Sequence, residues 1–292
     1  MDAVVEWERA GRSPVEFVSS IEAQARRLTT TYDQGTVAWR AWGNGPPLVL
    51  LHGGFGAWTH WIRNVSALSA RYRVLAADMP GFGDSTDAPQ PLAPEKLADA
   101  LAGGLREVTG EEPVRIAGFS FGAVVGGLIA QRALVKVHAL VLVGAVGMGL
   151  QRGPMEFKRW RRIGDDAERR EAHRANLATL MIWDTSKIDD LAIFLQDRNT
   201  SRARVQSRPI ARTALLRNAM ENTDAALAGI WGEHDATATP WLDERRELLR
   251  QLRPHAPFEV IADAGHWVQY EAADQFNAAL IGILGSLGKA RP

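Results

Sequence analysis

The sequence predicts an α/β fold built on a mostly parallel, doubly wound sheet. Four short, mainly apolar runs carry this prediction, and they occupy residues 48–51, 73–78, 114–119 and 139–143. Continuous apolar runs are typical of strands that are buried on both faces, as they are in parallel sheets. Helical patterns lie between the runs, which predicts right-handed crossover connections from strand to strand.

The other elements follow from helix capping and from hydrophobic periodicity. Ser13 and Pro14 predict the start of an N-terminal helix over residues 14–27. Residues 29–32 and 36–42 alternate like the two strands of a hairpin. A helix begins at Pro94 and carries an apolar stripe. Towards the end of the chain we predict a strand, a helix, a strand and a closing helix, over residues 226–231, 241–252, 258–261 and 271–287.

Residues 151–220, called the insertion below, interrupt this alternation. The insertion is predicted to be helical, and its 15 Lys and Arg against 9 Asp and Glu give it a net charge of +6. It precedes one of the last strands, so we expect it to form a lid over the carboxyl edge of the sheet. The core domain then consists of residues 1–150, after the N-terminal helix, and of residues 221–292.

Composition narrows the classes of function. The 292 residues include 34 basic and 34 acidic ones, so the neutral chain has no general attraction for nucleic acid or for an anionic membrane. The chain contains no cysteine, which excludes disulfides and thiolate chemistry. It shows no signal peptide and no apolar stretch of about 18 residues, so we expect a cytoplasmic protein with a small-molecule substrate. The oligomeric state is left open, a homo-oligomer included.

Chemically active residues follow the predicted strands. They are His52-Gly53-Gly54, Asp78, Ser120, Asp235 and His266. In open α/β sheets, ligands bind outside the carboxyl ends of the strands. We therefore expect these residues to meet at one edge of the sheet.

Ser120 lies at the centre of a Gly-X-Ser-X-Gly motif that follows a strand and opens a helix. This context is the one that a nucleophile elbow requires. Gly118 and Gly122 leave room for neighbouring backbone in a sharp turn, and the helix N-terminus stabilises negative charge beside the serine. The alternative is a serine that only caps the helix.

A serine nucleophile needs a base, and the base needs an acid that orients it. His266 follows the last strand, and the order serine, aspartate, histidine is that of the α/β-hydrolase fold. Asp235 is our choice for the acid, and Glu233 is its rival because it lies nearer to the strand end.

An oxyanion hole needs two backbone N–H groups. Phe121 should supply one of them, and Gly54, rather than Phe55, the other. His52 is expected to brace this loop, while Asp78 and Asp84 are expected to shape turns.

The motifs together resemble the α/β-hydrolase superfamily over residues 27–288. The resemblance rests on the segments 51–54, 78–85, 118–122, 231–235 and 265–267, which fall in the order of that family. It implies an eight-stranded, mostly parallel sheet with a helical lid, and a hydrolase with the catalytic residues Ser120, Asp235 and His266. No metal and no organic cofactor are implied.

Within the superfamily, residues 58–64 and 265–271 resemble the meta-cleavage-product hydrolases, which cleave a carbon–carbon bond in anionic dienoates. Those enzymes hold the substrate carboxylate with a lid arginine, for which Arg198 is the candidate here. The chain has His60 where the family usually carries an asparagine. We expect the substrate to contact Phe55, His60, Trp183, Arg198 and Trp267, while Trp58 and Trp61 line the pocket or belong to the core.

The sequence thus predicts a serine hydrolase for a small carboxylic ester or lactone. A carbon–carbon bond hydrolase of the meta-cleavage-product type is the first alternative. A ligand receptor on the same fold, with little turnover, is the second. An acyltransferase or a cofactor-free perhydrolase would use the same catalytic residues with another acceptor.

Overall fold

A computed structural model describes residues 11, 13–33 and 35–288. The strands are β1 (Arg26–Tyr32), β2 (Gly35–Trp42), β3 (Pro47–Leu51), β4 (Arg73–Asp78), β5 (Val114–Phe119), β6 (Val137–Val143), β7 (Ala226–Gly232) and β8 (Phe258–Ile261). The helices are α1 (Pro14–Glu22), α2 (Val65–Ser69), α3 (Pro94–Thr109), α4 (Phe121–Arg132), α5 (Asp166–Asn176), α6 (Asp190–Arg202), α7 (Leu215–Glu221), α8 (Leu242–Leu252), α9 (Val268–Glu271) and α10 (Ala273–Leu287). The chain ends of the expected core, residues 1–10 and 289–292, lie outside the described residues.

The eight strands form one sheet in the order β1-β2-β4-β3-β5-β6-β7-β8. β2 runs antiparallel to β1 and β4, whereas all the other neighbouring strands pair in parallel. The chain leaves β3 for β4 on one side and then returns to β5 on the other side. This reversal opens a crevice at the carboxyl ends of β3 and β5. The predicted fold class is confirmed.

The strands are apolar throughout because both faces of the sheet are covered. In β3, Leu48 and Leu50 belong to one core cluster, and Val49 and Leu51 belong to the other. Successive side chains of a strand point to opposite faces, so a continuous run supplies both clusters. Helices α1, α2 and α10 pack on the first face, and α3, α4, α7 and α8 pack on the second.

Two predicted helices differ from the structure by more than one residue. Helix α1 starts directly after its N-cap Ser13, which forms a capping box with Glu16, but ends at Glu22, because the chain enters β1 at Arg26 to pair with Ala41. The closing helix is divided into α9 and α10 by Ala272, whose backbone is not helical.

The insertion contains α5, α6 and most of α7, but residues 151–160 have no helix or strand. Its prediction as a helical segment therefore fits only the part that follows Asp166. Among the helices of the described residues, none combines the length and the apolar character needed to cross a lipid bilayer.

The loop after β4 is held by a buried carboxylate. Asp78 accepts hydrogen bonds from the backbone N–H of Trp58 at 2.8 Å and of Asp84 at 2.9 Å. The buried guanidinium of Arg40 pairs with it at 2.7 Å and also binds Asp84. These contacts give Asp78 and Asp84 a structural task, as the sequence suggested.

Candidate active site

Ser120 is the single residue between strand β5 and helix α4. Its backbone is held at φ 51° and ψ −110°, in a region that residues other than glycine rarely adopt. Its N–H donates to the carbonyl of Val143 at 2.8 Å. The side chain makes no capping hydrogen bond to α4. The interpretation of Ser120 as a simple helix cap therefore lacks the bond that defines such a cap.

The flanking glycines have no space for a side chain. A Cβ on Gly118 would lie 2.6 Å from the Cα of Ala123, and one on Gly122 would lie 2.4 Å from the carbonyl oxygen of Leu51. Both neighbours are backbone atoms, which cannot turn aside. The two glycines thus allow the tight turn that carries Ser120.

Replacing Gly122 with alanine should lower the free energy of unfolding by about 2–4 kcal/mol, because the new methyl group overpacks the backbone of β3. Gly103 in α3 is the matched control, since a Cβ there meets nothing within 4 Å. Gly103→Ala should stabilise the protein by about 0.5–1 kcal/mol. Urea unfolding of both variants measures the difference. A Gly122→Ala protein as stable as the control would contradict the steric argument.

The structure brings Asp235, rather than Glu233, to His266. The Nδ1 of His266 lies 2.9 Å from both carboxylate oxygens of Asp235. The backbone N–H and the hydroxyl of Thr237 also donate to Asp235, at 2.7 and 2.8 Å. Glu233 is exposed and accepts from the N–H of Asp263 instead.

Asp235 is ionised although it is completely buried. Burial by itself raises the pKa of this carboxyl, but His266 and the hydrogen bonds from Thr237 outweigh burial, and the pKa lies below its ordinary value. Gly144 follows β6 with φ 50°, and a Cβ there would lie 3.1 Å from both Asp235 Oδ2 and His266 Nδ1. This glycine leaves room for the buried pair.

Ser120 and His266 line the same cavity, which has a volume of about 750 Å³. This volume is in the usual range for small-molecule sites. The ring of Phe119 packs against the imidazole of His266 at 4.9 Å. The serine and the histidine, which is bonded to its carboxylate, therefore border one cavity.

Gly54 and Phe121 also line the cavity. A Cβ on Gly54 would lie 3.8 Å from the Cβ of Phe121 and only 2.1 Å from the Oγ of Ser207. Ser207 is buried and comes from the insertion, so no motif in the sequence marked it. The two candidate oxyanion residues thus lie side by side, with a hydroxyl against them.

Two histidines support the loop after β3. His52 bridges the carbonyl of Gly53 and the N–H of Met79, as expected of a brace. His60 accepts from the N–H of Gly53 through Nδ1 at 3.2 Å. Burial, with the nearby His52 and His266, lowers the pKa of His60 well below its ordinary value. His60 is therefore neutral and lines the cavity beside Phe55.

This buried neutral histidine should make stability fall in acid. Below about pH 6.5 the unfolded chain protonates His60 while the folded protein does not, at a cost of up to about 1.4 kcal/mol per pH unit. His60→Asn keeps an acceptor for Gly53 but cannot be protonated, so it should flatten the loss of stability between pH 6.5 and 5. Urea unfolding across this range is the measurement, with His255→Asn at an exposed position as the control. Equal slopes for the two variants would contradict the prediction.

Three of the expected substrate contacts lie away from the cavity. Trp183 is 55% exposed and stacks on His234. Trp267 is buried, stacks on Tyr270 and donates to the carbonyl of His60, so it belongs to the core.

Arg198 does not line the cavity, because helix α6 carries it on another face. Gln196 and Thr200 line the cavity, and they are four residues apart on one face of the helix. Arg198 lies between them in sequence and thus falls on another face. Trp58 and Trp61 are both core residues.

The insertion supplies cations that the sequence did not single out. Six basic side chains line the cavity: Arg152, Lys158, Arg159, Arg161, Arg162 and Arg208. The positive net charge of the insertion indicated an excess of cations. Their positions, however, depend on irregular loops whose course no sequence pattern predicts.

One group of residues in the described part of the chain has the composition of a metal site. The ligand atoms of Glu233, His234 and Asp263 lie within 4.8 Å of one another. Both carboxylates are exposed, and the group is not part of the cavity.

Comparisons with known proteins agree with this architecture. The model of the alpha/beta hydrolase family matches residues 48–279. A 2-hydroxy-6-oxononadienedioate/2-hydroxy-6-oxononatrienedioate hydrolase from Paraburkholderia phymatum is 27% identical over 299 residues, which cover 92% of this chain and 99% of the relative.

Solved structures show the same fold. A meta-cleavage product hydrolase from Pseudomonas fluorescens IP01 has a TM-score of 0.71 at 24% identity, over 89% of this chain and 97% of the other. The esterase RhEst1 from Rhodococcus sp. ECU1013 has a TM-score of 0.69 at 22% identity, over 90% and 99%.

Proposed function

Because this chain belongs to the alpha/beta hydrolase family, we propose that it is a serine hydrolase in which Ser120, His266 and Asp235 cleave a carbonyl substrate through an acyl-enzyme. The supporting observation is the buried His266–Asp235 pair, bonded at 2.9 Å, in the cavity that also contains the strained Ser120. A buried carboxylate is costly unless hydrogen bonds satisfy it. The position of the pair at the cavity that Ser120 also lines is what a general base and its orienting acid require.

The steps follow from the hydrogen bonds. Asp235 accepts the Nδ1 proton of His266, which leaves Nε2 free to take the proton of the Ser120 hydroxyl. The serine oxygen then attacks the carbonyl carbon, and the N–H groups of Gly54 and Phe121 stabilise the resulting oxyanion. His266 returns its proton to the leaving group. Water, activated by the same histidine, hydrolyses the acyl-enzyme and regenerates Ser120.

The first substrate class is a small carboxylic ester or a lactone. Five apolar side chains line the cavity that Ser120 also lines, namely Phe119, Phe121, Val146, Leu180 and Met181. They suit a compact acyl group and exclude water from the reacting carbonyl. The insertion supplies many of the lining residues and, in this proposal, acts as the lid. A cytoplasmic location stays a prediction of the sequence.

The second candidate is a carbon–carbon bond hydrolase for an anionic dienoate. It is favoured by the relative from Paraburkholderia phymatum, which is named a hydrolase of an anionic dienedioate or trienedioate, and by the cations of the cavity. Arg198, the expected carboxylate ligand, is not among the lining residues. An anionic substrate would have to use another cation.

A substrate panel decides between these activities. Wild-type protein and Ser120→Ala would be assayed with a neutral aryl ester, a lactone and an anionic dienoate, after a fluorophosphonate probe has reported whether Ser120 is labelled. We expect labelling and the highest kcat/KM for the ester or lactone. Preference for the dienoate would favour the second candidate. Labelling without turnover of any substrate would favour a ligand receptor.

A further inference from the structure

The outer part of the cavity carries positive charge without any negative charge. Six basic side chains line it, namely Arg152, Lys158, Arg159, Arg161, Arg162 and Arg208, and among the lining residues that the structure describes there is no aspartate or glutamate. Five of the six are exposed, and Arg152 is half-buried. The five exposed cations therefore lie towards solvent, whereas His266 is buried.

None of these six cations forms an ion pair within the described part of the chain. Neighbouring cations of the same insertion do. Arg169 pairs with Asp166 at 3.0 Å, and Arg170 pairs with Asp190 at 2.7 Å. The insertion thus neutralises its charges on helix α5 but leaves those around the cavity uncompensated.

Three of the six cations are held in place by contacts that leave their charge intact. The guanidinium of Arg208 lies over the rings of Phe55 at 5.4 Å and Phe157 at 4.5 Å. Arg161 donates to the carbonyl of Thr200, and Arg152 donates to that of Ala211. The Nε of Arg152 is buried without a hydrogen-bond partner among the described residues. Like charges that are gathered and oriented in this way repel one another unless a ligand neutralises them.

Phosphate is the anion that this arrangement fits best. The cations come from three separate stretches of the chain, around residues 152, 158–162 and 208, and all of them line the same cavity. A carboxylate presents two oxygens in one plane, which one or two guanidinium groups saturate. A phosphate group presents three acceptor oxygens and carries up to two charges.

We propose that the substrate is an ester or thioester whose acyl end occupies the apolar inner cavity and whose far end carries a phosphate or pyrophosphate group at the ring of cations. The cleavage step of this inference rests on the proposed serine hydrolase function. The binding of the anion does not depend on that function. Phe55 connects the two halves of the site, because it follows Gly54 and carries Arg208 on its ring.

The test compares two acetyl thioesters that differ only at the far end of the thiol part, 4-(acetylthio)butyl phosphate and 4-(acetylthio)butan-1-ol. We expect the wild-type protein to prefer the phosphate. Arg159→Glu/Arg162→Glu should lower the ratio of the two kcat/KM values at least 10-fold, because exposed charge pairs contribute up to about 1 kcal/mol each and both are reversed. Arg169→Glu/Arg170→Glu changes the net charge equally, outside the cavity, and should change the ratio less than 3-fold. A similar ratio in all three proteins would overturn the proposal.

Binding can be measured without catalysis. Calorimetric titration of the Ser120→Ala protein with pyrophosphate should give an affinity at least 10-fold tighter than with glutarate, and adding Arg159→Gln/Arg162→Gln should weaken it. Glutarate binding as tightly as pyrophosphate would overturn the phosphate assignment. Because this arm needs no turnover, a failure of the serine mechanism and a failure of the anion site give different results.

Discussion

Replacing Ser120 with alanine is expected to lower kcat/KM for a neutral aryl ester by at least about 1,000-fold. Loss of the nucleophile leaves only binding and oxyanion stabilisation, which cannot replace covalent catalysis. The fold should survive the change. The Ser120 side chain makes no capping bond, and alanine meets the same backbone strain as serine.

The kinetic measurement is therefore paired with urea unfolding, in which Ser120→Ala should match wild type within about 0.5 kcal/mol. Ser69→Ala, at a half-buried position whose hydroxyl donates to the carbonyl of Ser66, is the control and should retain full activity. Ester hydrolysis by Ser120→Ala at the wild-type rate would refute the assignment of the nucleophile. Loss of activity together with loss of stability would point to an unfolded variant instead.

Replacing Asp235 with asparagine is expected to lower kcat by about 1,000- to 10,000-fold. The amide keeps the shape of the carboxylate but presents N–H donors to His266 Nδ1 and to Thr237, which both donate to the native side chain. His266 would then carry its proton on Nε2 and could not accept the proton of Ser120 there. In addition, no negative charge would stabilise the imidazolium.

Glu233→Gln is the matched control, because Glu233 follows the same strand and was the rival candidate for this role. It is exposed and makes no hydrogen bond to His266, so its loss should change kcat less than 3-fold. Steady-state kinetics on one ester would measure both variants. A larger effect of Glu233→Gln than of Asp235→Asn would reverse the assignment.

The fold could be predicted because its signals are local. Apolar runs such as residues 48–51 reflect burial on both faces of the sheet, and the glycines around Ser120 reflect a turn with no space for side chains. Both requirements act on neighbouring residues, so they leave a pattern in the chain. The boundaries of helix α1 were less predictable, because the pairing of β1 with β2 ended the helix early.

The substrate contacts were less predictable because they depend on how distant segments pack. Arg198 and Trp183 were predicted from their residue types and their positions in the insertion. In the structure, Arg198 lies on another face of helix α6, and Trp183 stacks on His234. Arg208 and Ser207 carried no motif, yet they reach Phe55 and Gly54 from about 150 positions away in the chain.

The sequence alone determined the order of the strands along the chain, the elbow at Ser120 and the residues that could complete a catalytic set. Each of these depends on short-range steric and hydrophobic rules. The sequence favoured Asp235 over Glu233, but only the tertiary structure puts its carboxylate against His266, and it alone gathers six cations around one cavity. Side-chain direction and charge compensation are properties of residues that meet in space, and for that reason no linear pattern encodes them.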